Sequence, residues 1–194
     1  MSQARLAKLH PSDLTDEQRA VYDSITSGPR AQGPQLFRLT DDAGGLEGPF
    51  NAFLLQPGLG GALQEVGAAI RYRTSFDART REIAILRVAA AWDSSFEWYA
   101  HEAVGRAAGL TDDEIDAIRS DRFDAFSGAE ALVLRVASAL SIDNDLDDEL
   151  YDEAVAALGQ AGVFELLTLV GYYAALALQM RVFRVTAPGA DINS

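Results

Sequence analysis

The stretch VFELLTLVGYYAALALQM, residues 163–180, has almost no polar face at any helical phase, and this sets the first limit on what the chain can fold into. A helix that is apolar on all sides must be covered by other helices, by a second copy of the chain or by lipid. The run approaches the length of a membrane span. However, Glu165 lies near its start and Tyr172 and Tyr173 near its middle, whereas aromatic anchors belong at the ends of a span. It is therefore expected to be a central helix or an oligomer seam, with no membrane partner.

The rest of the sequence also reads as helix, and an all-α single-domain helical bundle is expected. Alternating strand patterns are absent. Thr15 with Gln18, Ser94 with Glu97, Thr111 with Glu114 and Ser127 with Glu130 each have the spacing of a capping box, which marks a helix start. The helix after Thr15 should stop at Gly28-Pro29, and the Gly/Pro-rich segment 30–49 should be irregular. Further helices are expected over about 49–55, 62–72, 78–92, 147–158 and 161–185, with a frayed tail beyond. A chain of 194 residues with 48% hydrophobic content is expected to form one domain, 1–194. Within it, 1–48 would be an arm and first helix, 49–185 the core, and 186–194 the tail.

There is no cysteine, so disulfides, thiolate metal sites and thiol peroxidase chemistry are all excluded. The net charge of -13, with no Lys/Arg-rich run, speaks against a nucleic-acid partner. The N-terminus lacks the apolar core of a secretory signal, so a cytoplasmic location is expected. Chemistry is left to carboxylates, hydroxyls, arginines and two histidines.

The segment REIAILRVAAAWDSSFEWYAH, 81–101, gathers most of these groups. Glu97 and His101 are four residues apart and share a helix face, so the carboxylate can orient the ring for proton transfer. Glu82 lies on the preceding helix among Ile85, Leu86 and Ala89, and an antiparallel return at DSS would bring it alongside. Two carboxylates and an imidazole would then suit proton transfer beside a carbonyl, or decarboxylation of an activated acid. A structural reading competes: Glu97 only caps the helix from Ser94, His101 only bonds Glu97, and Glu82 only pairs with Arg79, Arg87 or Arg106. Ser94, Trp98 and Arg71 are candidate substrate contacts, the last at a helix end where dipole compensation is the plainer role. The similarity of 82–91 to 130–139 reads as shared packing vocabulary.

The motifs RTREIAILRVAAAW and FEWYAHEAVGRAAGLTDDEI, preceded by FNAFLLQPGLGGAL, resemble the carboxymuconolactone decarboxylase/alkylhydroperoxidase D-like family over about 49–118. In its peroxidase branch a glutamate precedes a Cys-x-x-Cys pair and a histidine. Here Glu82 and His101 keep that spacing, while Ser94 and Glu97 stand where the cysteines would be. The resemblance implies an all-helical homo-oligomer, a trimer or hexamer with a dimer as a further option. It also implies a cofactor-independent lyase acting on a small carboxylated or lactone-type substrate, as in aromatic catabolism, with no metal and no cofactor. The alternative is a non-catalytic binding or scaffold member; peroxidase activity ranks last.

Overall fold

The computed structural model describes residues 4–32 and 35–188; the end of the expected tail, 189–194, lies outside the described residues. The fold is all-α. Among the described residues eight α-helices follow in order: α1 Asp16–Thr26, α2 Phe50–Phe53, α3 Pro57–Tyr72, α4 Ala78–Ala91, α5 Ser95–Ala107, α6 Asp112–Arg119, α7 Gly128–Ile142 and α8 Asp148–Phe183. Among the described residues the only extended pairing is an isolated bridge between Thr40 and Leu46. The chain groups into two compact units, one reaching Arg73 and resuming at Leu178, the other comprising Thr74–Ala177.

In the first unit α1 opens with a complete capping box. Thr15 and Gln18 bond each other's backbone N–H, and Gln18 Nε2 also donates to the Leu54 carbonyl at 2.9 Å. Asn51 fixes the N-terminal arm by accepting from Leu9 N–H and donating to the Ala7 carbonyl. α3 starts at Pro57, earlier than the expected 62, because the Gln56 side chain caps Leu59 N–H and proline suits the first turn. The glycines that read as loop lie inside the helix for a packing reason. A Cβ on Gly60 would lie 2.0 Å from the Phe53 carbonyl oxygen, so only glycine lets α2 and α3 meet.

The second unit is built around α4, which packs against α5, α6 and α7 and is buried on nearly every side. Ile83 and Leu86 form a core with Leu110, Ile115, Ile118, Phe126 and Leu134. Burial of each such side chain stabilises by about 1.5–3 kcal/mol. Arg79, at the start of α4, binds Glu130 at 2.7 Å, Glu114, and the Gly109 carbonyl, joining three segments of the unit. This explains why the Ser127 capping box does not form: Ser127 makes no side-chain cap and the Glu130 carboxylate is taken by Arg79. The Thr111 box does form.

The two similar segments differ in environment, as shared packing vocabulary implies. Arg87 is buried on α4 and bonds Ser138 and the Ile118 carbonyl, whereas its counterpart Arg135 is half-exposed and pairs with Glu153. α8 covers both late helices expected from the sequence, and Gly159, at φ 70°, interrupts its helical backbone between them. It is long and apolar enough to cross a membrane, and half of its apolar window is buried within the protein. Glu165 in that helix accepts from both the backbone N–H and the hydroxyl of Ser75.

Candidate functional site

The turn between α4 and α5 is short because Asp93 adopts a left-handed conformation, φ 50°, and Ser94 N–H closes back onto the Ala89 carbonyl at 2.9 Å. The chain reverses within a few residues, and α5 returns along α4. Close approach is kept farther along by Gly105, whose added Cβ would meet Leu110 and Leu86 at 2.9 and 3.3 Å. This geometry brings Glu82 and His101 together from nineteen positions apart.

His101 Nδ1 lies 2.6 Å from Glu82 Oε2, and both residues are buried, Glu82 completely. Glu82, not Glu97, is therefore the carboxylate that orients the ring, contrary to the i, i+4 pairing expected along α5. Neither Arg79, Arg87 nor Arg106 bonds Glu82: Arg87 pairs with Asp121, and Arg106 with Glu102 and Asp112. With Nδ1 engaged, Nε2 is the nitrogen through which the ring can exchange a proton. Tyr173 of α8 meets the imidazole edge to face at 5.1 Å, and Tyr172 stands against Tyr173 in the same manner at 5.4 Å. Both tyrosines, on the helix expected to be central or an oligomer seam, are buried within one chain.

Glu97 also departs from the capping expectation. Ser94 makes no side-chain cap, and both Glu97 carboxyl oxygens are buried without a well-formed hydrogen bond. Burial pushes this carboxyl up to about 8, and the neighbouring Ser94 hydroxyl opposes the shift by less. Burial thus favours the neutral form of Glu97, which lies on the same buried face of α5 as His101. Glu82 Oε1 likewise has no partner.

Ser94 and Trp98 lie together on a cavity of about 320 Å³ at the α4–α5 turn, which Ala89, Ala90, Asp93 and Arg119 also line. The Arg119 guanidinium sits 3.9 Å from the centre of the Trp98 ring. Arg71 is not among these groups; it lies in the last turn of α3, in the first unit. Sequence reasoning missed Tyr173 and Arg119. The Tyr-Tyr pair at 172–173 did signal an interruption of the apolar run, but nothing in the spacing linked it to His101.

Residues 57–139 match the model of the carboxymuconolactone decarboxylase family. Two solved structures of the debrominase Bmp8 share the fold. A cysteine-to-alanine variant in complex with 2,3,4-tribromopyrrole is similar at a TM-score of 0.73 and 14% identity, covering 97% of this chain and 95% of that one. The apo form gives 0.72 and 15%, covering 94% and 91%. No curated protein matches the sequence.

Proposed function

We propose that this cysteine-less chain, whose residues 57–139 match the carboxymuconolactone decarboxylase family, is a cofactor-independent acid/base enzyme acting on a small carboxylated or lactone-type substrate. The observation that carries this reading is a buried imidazole and a buried carboxyl on one helix face: His101 held by Glu82, and Glu97, whose burial favours its neutral form. Through its bond to Nδ1, Glu82 orients the ring and leaves Nε2 as the nitrogen that exchanges the proton. Glu97 supplies the complementary acid.

In a decarboxylation the bond from the ring carbon to the carboxylate breaks and carbon dioxide leaves. The electron pair passes into the conjugated carbonyl or lactone system. That carbon then takes a proton from the Glu97 carboxyl, and solvent or His101 restores it. In an isomerisation His101 Nε2 would remove a proton beside the carbonyl and Glu97 would protonate the carbon at the other end of the enolate. Both balance without an external oxidant or reductant.

The scaffold reading draws on the closure of the trio, since Glu82 is wholly buried. Turnover decides between them. Pure protein should convert 4-carboxymuconolactone or a related lactone acid, and His101→Ala should lower the rate by about a hundredfold or more. Unchanged turnover in that variant would remove His101 from the reaction.

A further inference from the structure

Arg119 is an unusual cation in this acidic chain. It closes α6, where a basic side chain compensates the helix dipole, yet its guanidinium folds back over Trp98 at the wall of the cavity. Among the described residues it forms no ion pair and no hydrogen bond. Most of the other arginines discussed above have carboxylate partners. A guanidinium that stacks on an indole keeps its in-plane N–H donors available, so stacking fixes its position without consuming its capacity to bind an anion.

The remaining lining supplies complementary chemistry. Asp93, in its left-handed turn, lines the same cavity. The hydroxyl of Ser94 makes no cap, and Ala89 and Ala90 give an apolar floor. A volume of about 320 Å³ lies at the small end of ligand cavities.

We infer that the cavity at the α4–α5 turn binds a small carboxylate that also carries a hydrogen-bond donor, with Arg119 holding the acid and Asp93 the donor. The anion-holding role suggested by the sequence for Arg71 is thereby assigned to Arg119. Ser94 connects this cavity to the proposed chemistry, because its hydroxyl neighbours Glu97. That link rests on the functional reading above, whereas binding itself does not.

The test is calorimetric titration of the full chain with 4-hydroxybenzoate, benzoate and phenol, which involves no turnover. The hydroxy acid should saturate the protein, benzoate should bind more weakly, and phenol should bind at least about tenfold more weakly than the hydroxy acid. Arg119→Gln should weaken the hydroxy acid by about tenfold or more, Arg119→Lys should weaken it less, and Asp93→Asn should narrow the gap between hydroxybenzoate and benzoate. Phenol binding as tightly as the acids, unchanged affinity in Arg119→Gln, or no saturation by either acid at about 10 mM would overturn the inference. Loss of turnover in His101→Ala is a separate result, so either idea can fail alone.

Discussion

Glu82 Oε2 and His101 Nδ1 are joined at 2.6 Å across two antiparallel helices, in a place where one partner has no solvent exposure. A hydrogen bond to a charged group in such surroundings contributes about 1.5–3 kcal/mol, and a lone carboxylate left there is costly. Denaturant unfolding of Glu82→Gln, His101→Gln and the double variant should give a coupling of about 2 kcal/mol. Additive effects would mean that the two groups do not stabilise each other.

The pH response of stability should expose Glu97. Its folded value is about 8, above the ordinary 4.5, so the stability it contributes is complete below about 4.5. As pH rises from there the unfolded chain releases the proton while the folded chain keeps it, and stability falls until about pH 8. Glu97→Gln should remove this decline and be the more stable protein at pH 8, with little difference at pH 4.5. Parallel stability curves for the two proteins would rule out a buried neutral carboxyl at this position.

Glu114 has the opposite sign. Its bond to Arg79 lowers it from 4.5 to about 2, so its contribution is complete above about 4.5 and disappears as pH falls toward 2. Arg79→Gln should flatten that acid limb and cost about 2 kcal/mol at pH 7, because two half-buried carboxylates lose their partner together. An unchanged acid limb in this variant would contradict the assignment.

Two glycine substitutions should differ in direction. Gly60→Ala forces a methyl against the Phe53 carbonyl and should destabilise by about 3 kcal/mol. Gly171→Ala meets nothing within 4 Å on α8 and should stabilise by up to about 1 kcal/mol through helix propensity. Thermal unfolding of both variants checks the pair; similar losses would show that the crowding at Gly60 is not what matters.

Assembly can be predicted from the surface of α8. Phe164 is 70% exposed and Leu167 43%, adjacent positions on one side of the helix. Light scattering at micromolar concentration should give a dimer or larger closed assembly, a trimer or hexamer if the family habit implied by the sequence holds. Phe164→Asp should shift it toward monomer. A monomeric wild-type protein would leave this face to some other use.

Helix number and type were legible because capping chemistry and composition are local. Thr15, Thr111 and the Gly159 break all fall where local rules put them. The errors arose where distant residues compete for the same group. Glu130 and Glu97 have identical capping spacing, but Arg79 claims the first and burial removes the second from its cap. Likewise the i, i+4 rule pointed His101 toward Glu97, whereas the tertiary return of α5 offered it Glu82. Arg119 was invisible in the sequence because a cation in the last turn of a helix already has an ordinary explanation.

The turn at Asp93 and Ser94 acts as a ruler. Each residue advances a helix by about 100°, so one residue inserted there would rotate His101 about a quarter-turn away from Glu82 while leaving every side chain unchanged. Substitutions along 94–101 can alter which atoms do the chemistry, but a change in length would abolish the site itself. What the site depends on in this part of the chain is therefore a count of residues rather than a particular set of them.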